Sequence, residues 1–340
     1  MAASSFEGGH QSTSPAPLRG PTSALSTIDP RHGRRLMASD LREMSLENFD
    51  MWMETVDQID DYKIAGMSLL SIAGREHRLD IAELLIHRGG VSVESGSDVA
   101  GRTPLMGAVL SRDVEFVKYL LGKGADIDRV LWPGFTALTA AISLRSVELV
   151  GLLIEELADV RVGGFALVEA ANQGDIEIVE ILLRNGADIN QATMNGRTPL
   201  MAAAWSVAAN RDQAFVHLVQ RGANIDQTDL EGRFGIAVAV SVGRADITSL
   251  FLRNGADIGV VDETGATLRI MAAREGNVEV VRLLIEAGID VEAVDNVGDS
   301  ALDLAIRGRD YNPEEEEEYE IIVNLIIQAI EDNPGMTILK

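Results

Sequence analysis

From Gly66 onward, apolar residues recur in pairs of helical stretches. One stretch of each pair is short and rich in alanine, as in Ala202, Ala203 and Ala204, or Ala272 and Ala273. The other is longer and carries larger aliphatics at one-face spacing, as in residues 114–126, 176–188 and 278–290. Gly-Ala-Asp or a variant ends each of the longer stretches. A glycine opens each unit, at positions 66, 101, 134, 163, 196, 232, 265 and 298. The successive differences are 35, 33, 29, 33, 36, 33 and 33, so the pattern predicts eight stacked units of about one length.

Local chemistry agrees with that division. In Gly101-Arg102-Thr103-Pro104-Leu105 the threonine is placed to cap a helix, and the proline suits the first helical position, where no N–H is needed. Thr198-Pro199-Leu200 repeats the arrangement; Thr136-Ala137-Leu138 and Ser300-Ala301-Leu302 keep the cap without the proline. Gly174, Gly243 and Gly276 mark the turn into the second helix. Gly124, Gly186, Gly222, Gly255 and Gly288 stand where that helix ends, both being places for a left-handed residue. A short extended hairpin leads to the next unit. No single unit can bury its own apolar face, so the core forms only by stacking.

Both ends differ from the repeats. Residues 1–38 are rich in Ser and Pro and show no apolar period, which predicts a disordered leader. Arg19, Arg31, Arg34 and Arg35 outnumber Glu7 and Asp29 there, so a targeting or export tail is the alternative to a plain leader. The segment 39–65 is expected to form an amphipathic capping helix. Its periodic part is 45–60, with Ser45 as N-cap, Leu46, Phe49, Met53 and Val56 on one face, and Glu47, Asp50, Glu54 and Asp57 elsewhere. At the other end, Asn312 as cap and Pro313 in the first turn predict a last helix. Residues 314–318, all glutamate, would complement its dipole, and Ile321, Ile322, Leu325, Ile326 and Ala329 would close the stack.

The run G-x-T-P-L, the Ala-Ala helix, the V/I-E-x-V-x-x-L-L helix and G-A-D-I together resemble ankyrin repeats over about residues 62–335. The resemblance implies an all-α ankyrin-repeat solenoid of about eight helix-turn-helix units with hairpin loops. It would occupy 66–340, extended C-terminal cap included, behind the N-terminal capping helix. Some positions depart from the family. Met106, Thr139 and Met201 replace the histidine usual after T-P-L, so its link between hairpins is expected to be missing. The fourth unit reads Gly163-Gly164-Phe165, the fifth carries about three extra residues within 205–212, and the sixth reads Gly232-Arg233-Phe234-Gly235-Ile236. Units four to six are therefore expected to stack irregularly.

Composition narrows the function. With 46% hydrophobic but only 4% aromatic residues, close helix packing suits the chain better than a sandwich or barrel. There is no cysteine, which removes disulfides, thiolate metal sites and a cysteine nucleophile. The net charge of -24 repels duplex nucleic acid and favours a basic protein. No apolar run reaches the roughly 18–20 residues of a membrane span. His10, His32, His77, His87 and His217 show no metal-ligand spacing, and no nucleophile elbow, phosphate loop or dinucleotide fingerprint occurs. Asp126, Asp188 and Asp257 follow the repeat period and read as turn residues. The chain is expected to be no enzyme, to need no cofactor or metal, and to bind no small-molecule substrate.

The resemblance also implies where a partner would bind, namely a concave face made of hairpin tips and the exposed side of the first helices. On the hairpins these places hold Arg102, Trp132, Phe135, Arg161, Met194, Arg197, Leu230 and Arg233. On the first helices they hold Leu110, Leu144, Trp205 and Val242. Tryptophan and arginine are enriched at binding hot spots. The expected partner is a protein that is basic or carries apolar anchors. The leading reading is a cytoplasmic adaptor or scaffold. Alternatives are an acidic inhibitor or antidote masking a basic protein, an effector exported or targeted through its leader, and an enzyme with a site in irregular units four to six.

Overall fold

Two turns in every unit need a left-handed backbone, and the chain supplies it at fixed places. The eight unit-opening glycines all have positive φ, as do the glycines ending the second helices. The computed structural model describes residues 36–56, 58–95, 100–131, 134–206, 208–288, 292–312 and 314–332. The leader up to residue 35, Asp57, Trp132 and Pro313 lie outside the described residues.

The fold is an all-α solenoid. Two short helices, α1 (Ala38–Glu43) and α2 (Leu46–Met53), precede a two-stranded hairpin, β1 (Lys63–Ile64) and β2 (Met67–Ser68). Eight helix pairs follow among the described residues. They are α3 (Leu69–Arg75) and α4 (Leu79–His87), α5 (Pro104–Leu110) and α6 (Val114–Gly122), α7 (Ala137–Ser143) and α8 (Val147–Glu155), then α9 (Ala166–Gln173) and α10 (Ile176–Arg184). The second half has α11 (Pro199–Trp205) and α12 (Arg211–Gln220), α13 (Gly235–Ser241) and α14 (Ala245–Arg253), α15 (Leu268–Arg274) and α16 (Val278–Glu286), then α17 (Ala301–Tyr311) and α18 (Glu316–Asp332). Later hairpins are reduced to single antiparallel bridges, such as Leu131 with Phe135 and Val261 with Thr267. Almost all alanines of the first helices are fully buried, which lets neighbouring units close on one continuous core running from the cap to α18.

The expected threonine and serine caps of the first helices form. Thr103, Thr136, Thr198 and Thr267 accept from the N–H three residues on, and Ser300 builds a reciprocal capping box with Asp303. Asp126, Asp188 and Asp257 close their own turns by accepting from the N–H two residues later. Two positions further on, a second set of side chains ties unit to unit. The Asp159 N–H donates to Asp128 Oδ1 at 2.9 Å, that of Asn224 to Asn190 Oδ1 at 2.8 Å, and that of Asp257 to Asp226 Oδ1 at 2.9 Å. This ladder links successive loops where the family's histidine is absent. Met106 and Met201 are buried in its place, and Thr139 joins Thr136 in a capping box.

A second ladder runs along the interhelix turns. Where later units have glycine, the first three have His77, Arg112 and Arg145, also left-handed. Their side chains offset that strain by reaching the following unit. His77 Nδ1 meets Asp113 Oδ2 at 2.8 Å, Arg112 Nη2 donates to the Leu144 carbonyl at 2.6 Å, and Arg145 donates to the Gln173 carbonyl.

Four expectations change. The amphipathic segment is not one helix over 45–60, because α2 ends at Met53 and a 3-10 turn follows at Ile59–Asp61. Trp52 takes a buried place on its inner face while Leu46 is exposed, because the face is set by what α4 offers as well as by period. Asn312 does not cap the last helix; it is the C-cap of α17, and α18 begins at Glu316. Ile321 is exposed rather than closing the stack, whereas Ile322, Ile326 and Ala329 are buried.

Units five and six meet in an irregular way. First helices of adjoining units otherwise pack closely side by side, but α11 meets α13 only narrowly, at Met201 and Gly235, and also reaches α14. Phe251 of α14 is fully buried and meets Phe215 of α12 edge to face, with ring centroids 5.0 Å apart. Arg244 and, from α12, Arg211 hold the Asp246 carboxyl well below the usual carboxylate range.

Arg78 fastens the cap to the first unit. Its Nη1 donates to the Leu41 carbonyl at 2.6 Å and to the Met44 carbonyl at 3.0 Å, and its Nη2 pairs with Asp80. Arg78→Ala is expected to cost about 1.5–3 kcal/mol, the range for hydrogen bonds to a charged group. Hydrogen exchange should show protection lost over residues 36–53 and kept in α9 to α16. Unchanged protection in the cap would refute that anchoring role.

Candidate partner-binding face

Most first helices are seven residues long, so their last residue recurs in one register: Arg75, Leu110, Ser143, Trp205, Ser241 and Arg274. Hairpins and first helices share one face, as two clefts show. A cleft of 240 Å³ is walled by Gly134, Phe135, Thr139, Ser143, Phe165 and Glu169. Another, of 550 Å³, lies between Arg233, Phe234 and Ala237 of one unit and Val261 to Thr264 and Arg274 of the next.

Each cleft has a phenylalanine at a helix N-cap where other units have Thr or Ser. Phe165 and Phe234 make no side-chain cap bond. The missing hydroxyl weakens the start of α9 and α13, and the ring instead forms a cleft wall. In the sequence this was visible as a departure from T-P-L and signalled irregular stacking; its consequence for the face depends on where the ring points.

The residues singled out from sequence are unequal in structure. Met194 and Leu230 protrude from adjoining hairpins at 63% and 73% exposure. Phe135 is half-buried and lines the smaller cleft. Leu110 and Trp205 are half-buried against the core, and the Arg244 guanidinium lies 6.0 Å from the Trp205 ring centre. Leu144 is the C-cap of α7 and Val242 that of α13, so both belong to the interhelix turns, and Ser143 and Ser241 occupy the matching face positions. Trp132 falls outside the described residues.

The arginines also separate. Arg161 is exposed and forks onto Asp159, which raises its own pKa and lowers the aspartate's. Arg233 pairs with Asp229 at 2.8 Å and Glu231 at 2.8 Å. Burial works to raise the Asp229 carboxyl, and the backbone N–H and guanidinium of Arg233 outweigh it. Arg102 is half-buried beside its opening glycine. Arg197 is half-buried, and burial pushes its pKa below the usual guanidinium range against the pull of Glu169. Its Nη2 donates to Asn172 Oδ1 at 3.2 Å and to the Ala202 carbonyl at 3.4 Å. Phe165, Glu169 and Asn172 are face residues that the sequence reading did not single out.

On the opposite, second-helix side, His217 Nε2 meets Glu180 Oε1 at 2.6 Å, with Arg184 and Arg221 beside the same carboxylate. Its His217 hydrogen bond holds that carboxyl below the usual range. Among the described residues, no three His, Asp or Glu side chains converge as a metal site, and no helix is long and apolar enough to cross a membrane.

A family model described as ankyrin repeats (3 copies) matches residues 46–131, 70–164, 138–229 and 236–337. The chain is 30% identical over 191 residues to palmitoyltransferase AKR1 of Lachancea kluyveri, covering 54% of this chain and 25% of that protein. It is 37% identical over 114 residues to the transient receptor potential channel pyrexia of Drosophila melanogaster, covering 32% and 12%. To the B-cell lymphoma 3 protein homolog of Mus musculus it is 37% identical over 108 residues, covering 30% and 24%. The chain spans a quarter or less of the length of each of these proteins.

Proposed function

The chain belongs to the ankyrin-repeat family, and from that premise we propose that it is a non-catalytic adaptor holding a partner protein across its hairpin tips and first helices. The observation that carries this reading is the pair Met194 and Leu230. Both are largely exposed and stand on neighbouring hairpins, in units between the cleft of Phe135 and Phe165 and the cleft of Phe234. Apolar side chains held in water at the tips of capped, hydrogen-bonded hairpins have no folding role that favours them, whereas an interface buries them.

The test is quantitative capture by the full chain and by a Met194→Asp/Leu230→Asp variant. A Glu115→Lys/Glu148→Lys variant, altered on the exposed second-helix side, serves as control. Partners should be retained at least tenfold less by the tip variant and equally by the control. Equal retention by all three would end the adaptor reading on this face.

The net charge of -24 favours one second reading, an acidic inhibitor masking a basic protein. Because Arg161 and Arg233 are neutralised within their own hairpins, the face gains little positive charge from them. Binding of that kind would weaken steeply between low and high salt, whereas binding through apolar tips would survive moderate salt.

A further inference from the structure

Resting on the adaptor reading above, we infer that the centre of the face, in units three to five, is a two-point receptor for an extended, acidic segment of a partner protein. One apolar side chain enters the cleft between Phe135 and Phe165, and an Asp or Glu of the same segment pairs with Arg197.

The charge of Arg197 is what distinguishes this place. Arg161, Arg233, Arg274 and Arg307 each have a carboxylate of their own. Among the described residues Arg197 forms no ion pair, and its Nη2 has only neutral acceptors, a side-chain amide and a main-chain carbonyl. The nearby Glu169 carboxylate accepts from Gln173 Nε2 at 2.8 Å and acts on Arg197 only through space. A guanidinium that is already half out of water, with donors left over, gains more from an incoming carboxylate than an exposed one does. On a chain of net charge -24, it is a local positive site in an acidic surround.

The apolar point lies next to it. The cleft is walled by Phe135, Phe165 and Gly134 together with Thr139, Ser143 and Glu169, and its surface is mostly apolar. Glu169, at the cleft, and Asn172, which holds Arg197, are three residues apart on α9 and so share one face about 5–6 Å apart. An extended chain advances about 3.3 Å per residue, and every second side chain points the same way. The site therefore selects an apolar residue and an acidic residue two positions apart in the bound segment.

A random dodecapeptide display library panned on the full chain tests this. Enriched peptides are expected to carry Leu, Ile, Met or Phe two positions from Asp or Glu. Resynthesised with Asn or Gln for the acid, they should bind at least tenfold more weakly, a measurement that leaves the protein untouched. Arg197→Met, helical by circular dichroism, should cause the same loss, and Arg197→Glu should turn selection toward Lys or Arg. Basic peptides enriched without regard to residue 197, peptides unaffected by the acid-to-amide change, or no enrichment at all would each overturn the proposal. Peptides indifferent to residue 197 but lost with Met194→Asp/Leu230→Asp would overturn the two-point site and keep the adaptor face. Peptides indifferent to both would overturn both.

Discussion

Replacing Phe251 with alanine is expected to destabilise the chain by about 3–5 kcal/mol, the usual cost of deleting a buried phenylalanine, and to split its unfolding into two steps. Phe251 is 1% exposed and sits over Gly235, where a Cβ would fall 2.6 Å from its ring. It meets Phe215 of the preceding unit edge to face. Because α11 and α13 meet only narrowly, this aromatic contact does much of the joining that close first-helix packing does between other neighbours. In a stacked array, stability is a sum of unit and nearest-neighbour terms, so weakening one junction uncouples the blocks on either side. A urea titration followed by circular dichroism should show units six to eight melting first, being the smaller block. Hydrogen exchange should place the early loss C-terminal to Phe234. A single transition shifted by less than about 0.5 kcal/mol, the range of an ordinary surface change, would show that the junction is held by other contacts.

The second large effect is expected at Gly196. Its φ is +75°, and a Cβ there would lie 2.3 Å from the Leu230 amide nitrogen, a backbone atom that cannot rotate away. Gly196→Ala should cost about 2–5 kcal/mol, from left-handed strain of about 1–2 kcal/mol plus overpacking of about 1–3 kcal/mol. Gly232 is the matched control, with φ +74° and nothing within 4 Å of the added atom. Gly232→Ala should cost only the strain. Equal losses in chemical denaturation would mean that the approach of hairpins five and six is not constrained by glycine. The comparison also bears on the binding face, since moving Leu230 away from Met194 would separate the two exposed tips.

Much of the architecture is legible because each unit repeats the same local requirements. The spacing of opening glycines, the Thr caps and the Asx turns depends on residues within a few positions of one another, so periodicity alone reveals them. The capping segment was harder to bound. Its apolar period runs on past Met53, but the chain must turn there to reach the first hairpin, and Trp52 buries in place of Leu46. Asn312 followed by proline carries a cap signal, yet α17 runs to Tyr311 and takes Asn312 as its own end. The register of the face was similarly ambiguous. Leu144 and Leu110 look equivalent by composition, and only the helix ends show that Ser143 is the counterpart of Leu110.

The sequence by itself determined the repeating fold and the Thr and Ser caps of the first helices, because short-range geometry repeated many times leaves one solution. Tertiary structure alone decided which arginines remain available, since that depends on whether a carboxylate happens to lie within reach. Asp159 neutralises Arg161, and Asp229 neutralises Arg233, while Glu169, whose carboxylate acts on Arg197 through space, is engaged by Gln173. It also decided that Phe165 and Phe234 line clefts rather than merely spoil caps, and that a pair of phenylalanines joins units five and six. Those outcomes rest on side chains from different units meeting in space, and the repeat pattern carries no information about such meetings.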